Sequence, residues 1–281
     1  MILLYITGVI FMVAVILALW RTEPKNADLR NPYVDSSVNS GKVTISDDEL
    51  PDEMWRYVAE LRESMKPIRK HGIYERVIKR LLDIIFSFLA LLVLSPLYLI
   101  ISVAVFIDDP GRVFFTQRRI GKEKKYFAMH KFRTMKKSAP HDMPTHLLDE
   151  PDKYITRVGK ILRHTSLDEI PQVWDIFRGR MSIVGPRPAL WNQADLIAFR
   201  EVYGANDIKP GLTGWAQVNG RDELELKVKA KFDGEYAEKI SFLFDIKCLI
   251  KTVFSVCKAE GVSEGKQNPG LIEGSNKETK K

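Results

Sequence analysis

The stretch Arg163-His-Thr-Ser-Leu-Asp-Glu-Ile-Pro-Gln172 places two adjacent carboxylates directly before an apolar pattern of helical period. Ser166, followed three residues later by Glu169, has the form of a capping box and predicts that an amphipathic helix begins here. Asp168 would then lie in the first turn, where unpaired N–H groups and the positive end of the helix dipole hold a carboxylate ionised. The apolar pattern has the spacing i, i+3, i+4 and i+7 and consists of Ile170, Val173, Trp174 and Phe177.

Two interpretations of these acidic residues are open from the decapeptide alone. An ionised carboxylate in this setting could attack phosphorus or bind a metal, and a helix start also attracts phosphate. Acidic residues in a first helical turn are common for helix stability alone, and for the decapeptide in isolation this is the more ordinary interpretation. The rest of the chain has to distinguish a catalytic pair from a stabilising one.

Composition limits the kinds of partner that the protein can have. The chain has 281 residues, enough for one or two domains, with a formal net charge of +7 and a pI near 9.2. This basic surplus predicts an anionic partner, which could be nucleic acid, an acidic membrane surface or a phosphorylated substrate. Cys248 and Cys257 are the two cysteines, and without a Cys-x-x-Cys pair they predict neither a disulfide framework nor a zinc site.

The N-terminal apolar run, Ile2 to Trp20, has no charged residue and is about as long as the ~20 residues that span a bilayer. Basic residues follow the run and none precedes it, so the positive-inside rule places the N-terminus outside and the rest of the chain in the cytoplasm. The alternative is a cleaved signal peptide, but a charged leading region and an Ala-x-Ala site are both missing. Residues 1–20 are therefore predicted to form a transmembrane helix, and residues 21–73 a polar linker with one helix.

A second apolar run, Leu81 to Ile107, is also long enough to cross the membrane. Ser95-Pro96 lies at its middle, where proline removes a helical hydrogen bond, and both of its flanks are basic. Each half of about 13 residues reaches only ~20 Å, short of the ~30 Å hydrocarbon core. The pattern predicts a re-entrant hairpin that enters from the cytoplasm, breaks at Ser95-Pro96 and returns, with a straight kinked span as the alternative.

A β-hairpin is predicted from two β-prone runs, Val113 to Gln117 and Tyr126 to Lys131, around a polar turn at residues 121–125. The second run leads into Lys131-Phe-Arg-Thr-Met135, where two cations at alternating positions share one side of the strand. That side could bind phosphate, or it could be a solvated basic edge.

Two loops and one helix complete the pattern. In Gly185-Pro-Arg-Pro188 two prolines fix the backbone around Arg187, which suits phosphate binding by its planar fork but also fits a rigid turn. The glycine-rich segment Lys209 to Arg221 could wrap a nucleotide or simply turn the chain. The segment Ile240 to Cys257 has the period of a helix lying in the membrane interface, although a helix that faces the core would look similar.

Read in order, five motifs resemble those of the bacterial sugar transferases, the monotopic phosphoglycosyl transferases that begin lipid-linked glycan assembly. The resemblance covers roughly residues 74–262, and it depends on five motifs in sequence, since each alone is weak. The motifs are Ser95-Pro96, Lys131 to Met135, Arg163 to Gln172, Gly185 to Pro188 and Lys209 to Arg221.

The resemblance implies a reaction and a set of roles. A UDP-sugar gives its sugar-1-phosphate to polyprenol (undecaprenyl) phosphate, UMP is released, and Mg²⁺ is required. Asp168 is implied to be the nucleophile that forms a phosphosugar-aspartyl intermediate, and Glu169 is implied to help bind the metal or to accept a proton. Arg163, Arg187 and Lys131 match positions that hold phosphate oxygens.

The predicted fold class is α+β and mainly helical, with the N-terminal transmembrane helix, a re-entrant hairpin at 81–107, interfacial helices and a small β-hairpin. A catalytic domain is expected over residues 74–262 and a disordered tail over 263–281. The expected partners are a UDP-sugar, polyprenol phosphate and membrane lipids, with no nucleic acid and a possible homo-oligomer. The expected location is the bacterial cytoplasmic membrane, facing the cytoplasm, at the first membrane step of surface glycan (exopolysaccharide or capsule) synthesis.

Two rival functions remain open from the sequence. A non-catalytic membrane-anchored scaffold would use the basic surface to bind anionic lipid, with the acidic pair merely stabilising a helix. Direct transfer in a ternary complex would leave Asp168 with the role of a metal ligand only.

Overall fold

A computed structural model describes residues 72–139, 151–220 and 224–257, together with Ala14, Ala18 and Leu19. All but the last two residues of the predicted linker at 21–73, the tail at 263–281, and all but three residues of the predicted N-terminal helix lie outside this part of the chain. Ala18 and Leu19 are helical, and the fully buried Leu19 packs in the same apolar cluster as Leu91 and Tyr98.

Helix α1, Lys79–Asp108, is the longest element in the described part and follows a π-helical turn, Tyr74–Ile78. Its buried residues recur every three or four positions along its whole length and form one stripe that packs on the rest of the protein. Four of these buried residues are charged residues or serines, namely Lys79, Asp83, Ser87 and Ser95, so the face of α1 that packs on the protein is more polar than its exposed face. The stripe consists of Lys79, Asp83, Ser87, Leu91, Ser95, Tyr98, Ile101 and Val105.

The opposite face of α1 is apolar and exposed. It includes Phe86, Val93, Ile100 and Phe106, each more than half exposed. Within the described residues one helical stretch, Tyr74–Asp108, is long and apolar enough to cross a membrane, with a mean hydropathy of 2.7 over its most apolar window. An apolar face of this extent is unusual on a monomeric protein in water and suits contact with lipid.

Pro96 lies inside α1, and the helix continues through it. Because proline has no N–H, the carbonyl of Leu92 loses its usual helical donor. The hydroxyl of Ser95 donates to this carbonyl at 2.8 Å and replaces the missing hydrogen bond. The two halves on either side of Ser95-Pro96 thus form one helix, while their re-entrant path through a bilayer stays a prediction.

Both ends of α1 are bonded to the body of the protein. Near its start, Arg80 donates to the carbonyl oxygens of Ile176 and Phe177 at 2.7 and 2.8 Å. At its end, Asp108 accepts a hydrogen bond from the N–H of Val158 at 2.8 Å. A 30-residue helix is ~45 Å long. These contacts hold α1 against the protein near both of its ends.

The predicted β-hairpin is confirmed, with strands slightly longer than the sequence indicated. Strands β1, Phe114–Ile120, and β2, Tyr126–Phe132, pair antiparallel, with Phe114 opposite Phe132 and Ile120 opposite Tyr126. A second small sheet, which the sequence did not predict, pairs β3, Ser182–Val184, in parallel with β4, Gly211–Thr213.

The remaining described helices are short, except for the last two. They are α2, Arg157–His164, α3, Gln172–Phe177, α4, Ala194–Val202, α5, Leu226–Lys239, and α6, Phe242–Cys257. Helix α6 buries Asp245 and Cys248, whereas Leu243, Val253 and Phe254 on its other side are exposed. A helix with an exposed apolar side of this kind fits the predicted position in a membrane interface.

The predicted helix start at Ser166 is wrong. Ser166 has left-handed backbone angles (φ 56°, ψ 17°) and makes no capping hydrogen bond, and Leu167–Glu169 form a single 3₁₀ turn. The helix begins at Gln172, directly after Pro171. A helix that began at Ser166 would need the N–H of residue 171 to bond the carbonyl of Leu167, and proline lacks that N–H.

Candidate active site

Asp168 and Glu169 lie in the 3₁₀ turn between α2 and α3, where the chain changes direction. The side chain of Asp168 is 8% exposed and that of Glu169 is 16% exposed, so both carboxylates are largely shielded from water. Buried carboxylates require cationic or hydrogen-bonding partners. The partners here are two of the cations that the sequence singled out.

Glu169 is held by both of these cations. Its Oε1 atom accepts from Lys131 Nζ at 2.9 Å and from Arg187 Nη2 at 2.7 Å, and its Oε2 atom accepts from Arg187 Nη1 at 3.3 Å. Lys131 Nζ also lies 3.7 Å from Asp168 Oδ2, so one ammonium stands between the two carboxylates. The structure therefore brings together Lys131, Asp168, Glu169 and Arg187, all of which the sequence predicts as site residues.

The charge state of Glu169 follows from this arrangement. Burial by itself opposes ionisation, but the guanidinium of Arg187 and the ammonium of Lys131 outweigh it and hold the pKa of Glu169 well below its usual value. Glu169 is consequently ionised at neutral pH and is a weak base there.

Arg163, also predicted as a site residue, lies in the last turn of α2. Its Nε donates to the hydroxyl of Thr134 at 2.9 Å, and Thr134 follows Lys131 by three residues. Arg163 is therefore tied to the end of the strand that carries Lys131. Whether it binds substrate phosphate stays a prediction.

The loop Gly185–Pro188 carries Arg187 and is held from behind by the segment that contains β4. The N–H of Gly185 donates to the carbonyl of Thr213, and the N–H of Gly211 donates to that of Pro186, each at 2.8 Å. A Cβ atom on Gly211 would lie 2.1 Å from the nitrogen of Gly185, so the two chains approach too closely for any side chain there. Gly211 and Gly214 of the segment Lys209–Arg221 serve this close packing against Gly185.

Arg200 is a positioning residue that the sequence did not reveal. This arginine of α4 is 4% exposed and donates to the carbonyl of Arg187 at 3.0 Å and to Asp233 Oδ2 at 2.6 Å. It fixes the backbone of Arg187 through this carbonyl. Nothing in the sequence distinguishes Arg200 from a surface arginine, because its partner lies 33 residues away.

His130 and Asp175 position Lys131 in a similar manner. The His130 ring is fully buried, with Nδ1 2.8 Å from Asp175 Oδ1, and its backbone N–H donates to Asp175 Oδ2 at 2.9 Å. These bonds fasten β2 to α3. Since side chains alternate along a strand, Lys131 then projects to the face opposite His130, toward the acidic pair.

A Mg²⁺ ion would fit this site through a carboxylate together with substrate phosphates. The described residues contain no group of three or more His, Cys, Asp or Glu side chains that could hold a metal. Mg²⁺ is commonly bound by one or two carboxylates and completed by substrate phosphates and water, and Asp168 fits such a role. Glu169 fits less well, because both of its oxygens already accept hydrogen bonds from Lys131 or Arg187.

The fold and the site define an α+β protein in which a carboxylate pair, flanked by cations, lies beside a long helix with an exposed apolar face. The family model described as bacterial sugar transferase matches residues 74–259, and the chain belongs to this family. The family assignment made from the five sequence motifs is thereby confirmed.

Three relatives illustrate the range of this similarity. The exopolysaccharide production protein ExoY of Rhizobium meliloti (strain 1021) is 36% identical over 197 residues, 65% of this chain and 87% of that protein. The UDP-glucose:undecaprenyl-phosphate glucose-1-phosphate transferase of Escherichia coli (strain K12) is 41% identical over 64% of this chain and 40% of its own length. The UDP-N-acetylgalactosamine-undecaprenyl-phosphate N-acetylgalactosaminephosphotransferase of Aeromonas hydrophila is 33% identical over 66% of this chain and 44% of its own length.

Proposed function

We propose that this protein transfers a sugar-1-phosphate from a UDP-sugar to a polyprenol phosphate such as undecaprenyl phosphate and releases UMP. The observation that carries the proposal is the cluster of Asp168 and Glu169 with Lys131 and Arg187. Two relatives are named for this reaction with different sugars, glucose and N-acetylgalactosamine. Their names support the reaction class and leave the sugar open.

In the first step a carboxylate oxygen of Asp168 attacks the phosphorus that bears the sugar. A bond forms between this oxygen and phosphorus, the bond from phosphorus to the bridging oxygen breaks, and UMP leaves with the bonding electrons. The product is a phosphosugar-aspartyl anhydride on the protein. The short 3₁₀ turn and the burial of Asp168 hold the carboxylate in one place for this attack.

In the second step an oxygen of the polyprenol phosphate attacks the same phosphorus, and the carboxylate of Asp168 is released. A phosphate monoester has a second pKa near ~6 and is largely a dianion at neutral pH, so the acceptor needs no general base. The low pKa of Glu169 makes it a poor proton acceptor in any case. Of its two implied roles, proton transfer is the less favourable one.

Glu169 is better suited to hold Lys131 and Arg187 in position. Both steps bring anions together, and fixed cations that face the phosphoryl oxygens lower the cost of this repulsion without moving. Bound Mg²⁺, held through Asp168 and the diphosphate, would supply further positive charge at the same phosphates. Lys131 Nζ lies 3.7 Å from Asp168 Oδ2 and so places a positive charge beside the attacking carboxylate.

The acceptor phosphate is attached to a long lipid, so the site has to work at the level of the headgroups. We propose that the apolar faces of α1 and α6 enter the cytoplasmic leaflet, with α1 re-entrant and the site facing the cytoplasm. The bonds of Arg80 and Asp108 to the protein support this path, since they keep both ends of α1 on one body. Labels at Arg76→Cys and Arg112→Cys should react with an impermeant reagent from the same side; opposite sides would show a full crossing.

Release of UMP tests the proposed reaction. Purified protein in lipid should release UMP from at least one member of a panel of UDP-sugars, and only when polyprenol phosphate is present for repeated turnover. The same panel would identify the sugar. A scaffold that merely binds anionic lipid would release no UMP from any donor, and that result would reject the proposed function.

A further inference from the structure

A cavity of about 230 Å³ lies between the start of α1 and the loops next to β3 and β4, apart from the residues of the candidate active site. None of Lys131, Arg163, Asp168, Glu169 or Arg187 lines it. Its lining contains an unusual number of cations. They are Arg76, Lys79, Arg80, Lys122 and Lys209.

Two carboxylates, Asp83 and Glu75, face these five cations. Asp83 is buried, and its Oδ1 accepts from the hydroxyl of Ser182 at 3.1 Å and from the N–H of Ile183 at 3.0 Å. Glu75 is the second carboxylate in the lining. The cavity therefore keeps an excess of positive charge.

Three of the cations also have partners outside the cavity, and the weakest of these contacts is the 4.0 Å approach of Lys122 to the exposed Glu123. Lys79 pairs with Asp245, and Arg80 bonds the carbonyl oxygens at the end of α3. These contacts fix the position of both side chains, so that they contribute charge in a set geometry. Fixed cations bind an anion at lower entropic cost than mobile ones.

Lys209 is half-buried among these charges. Burial lowers the pKa of its ammonium, the nearby charges of Arg80, Lys122 and Lys79 lower it further, and Asp83 opposes the shift. A half-buried cation placed among cations destabilises a protein that has no ligand. Residues that have a function in ligand binding often carry such a cost to stability.

We infer that this cavity binds a phosphate group of an anionic ligand, at a site separate from the Asp168–Glu169 cluster. Arginine and lysine together provide both the planar fork and the point charges that phosphate oxygens accept. The exposed apolar residues Val77, in the π-helical turn, and Leu81, in α1, directly follow the lining residues Arg76 and Arg80 in the chain, so a lipid headgroup phosphate is within reach. Free phosphate has the same chemistry, and the experiment separates the two sources.

The test uses the full chain in phosphatidylcholine nanodiscs and measures its thermal midpoint against added inorganic phosphate. A second arm measures retention of phosphatidylglycerol by native mass spectrometry. The variants are Lys209→Gln and Lys122→Gln, and Lys122 lies in the turn between β1 and β2, where substitution spares the core. The matched control is Lys231→Gln, which removes the same charge from an exposed position on α5.

Each variant is expected to weaken binding of phosphate or phosphatidylglycerol by at least about tenfold, as for the loss of one charge-assisted hydrogen bond. Lys209→Gln should leave the midpoint without phosphate unchanged or raise it, because it removes a repelled charge. The control should match the wild type. If the variants lose affinity only for inorganic phosphate, the ligand is free phosphate. If they lose affinity only for phosphatidylglycerol, the ligand is a lipid headgroup.

The inference is overturned if both variants keep the affinity of the wild type in both arms, or if the control loses as much as they do. A lowered midpoint of Lys209→Gln without phosphate would assign this lysine a structural role and also count against the inference. Phosphate bound at the Asp168–Glu169 cluster contributes equally to wild type and variants, so the difference between them reports the cavity. The outcome is independent of UMP release.

Discussion

Arg187 and Glu169 form a two-point pair, with Nη2 2.7 Å from Oε1 and Nη1 3.3 Å from Oε2. The carboxylate thus occupies the planar fork that would otherwise receive two phosphate oxygens. The carboxylate of Glu169 takes the place of a substrate phosphate on Arg187 and holds the arginine in position before substrate binds. Glu169 therefore sets the orientation of Arg187 in the free protein.

Arg187→Lys tests the value of this geometry. The variant keeps the positive charge but loses the fork, so kcat/KM for UMP release should fall by about 10–100-fold, equivalent to ~1.5–3 kcal/mol. Steady-state kinetics with the preferred UDP-sugar provide the measurement. Full activity in the lysine variant would show that the charge alone is sufficient and that the two-point pair has no catalytic importance.

Stability should depend on pH through Glu169. Its pKa is lower in the folded protein than its ordinary value of 4.5, so its ionised form stabilises the fold above about pH 4.5, and this contribution is lost as pH falls toward the lower, folded pKa. The difference in thermal midpoint between wild type and Glu169→Gln should be largest above pH 4.5 and should shrink below it. A difference that is constant from pH 7 to pH 3 would contradict the assigned charge state.

Ser95 and Pro96 should show strong coupling in a double-mutant cycle. Ser95→Ala leaves the carbonyl of Leu92 without its donor and should cost ~1–3 kcal/mol. In Ser95→Ala/Pro96→Ala the alanine N–H restores the helical bond, so most of this loss should be recovered. Thermal midpoints in lipid nanodiscs measure both effects. Additive losses would mean that the hydroxyl does not compensate for the proline.

Part of this architecture was predictable from local sequence and part was not. The hairpin of β1 and β2 and the helical character of α1 follow from local sequence, and the resemblance of the five motifs implies that Lys131, Arg187 and the acidic pair share one site. The ion pair of Lys131 with Glu169 is not predicted by the sequence. The spacing of Ser166 and Glu169 predicts a helix start that the structure does not have. Pro171 lacks the N–H that a helix beginning at Ser166 would need, so α3 begins after this proline.

The supporting contacts could not have been predicted. Arg200 with Asp233 and His130 with Asp175 are buried pairs separated by 33 and 45 residues. A single sequence shows the residue types but not which distant partners meet. The parallel pairing of β3 with β4 was also missed, because strands of three residues carry no periodic signal.

Asp168→Asn should reduce UMP release by at least about a thousandfold, because an amide cannot replace a carboxylate as nucleophile. Its thermal midpoint should change little. Glu225→Gln, which removes an exposed carboxylate before α5, is the matched control and should keep full activity. If Asp168→Asn instead lowers the midpoint sharply while the folded fraction keeps its rate, the acidic pair serves stability.

The most direct test of the mechanism is a trapping experiment without the lipid acceptor. The protein is incubated with a UDP-sugar labelled in the sugar, quenched, and separated from free nucleotide, and the label on the chain is located by peptide mapping. The mechanism predicts about one labelled sugar phosphate per active site, attached at Asp168 and discharged when polyprenol phosphate is added. An enzyme that turns over with acceptor but never carries label would contradict the covalent intermediate and favour direct transfer.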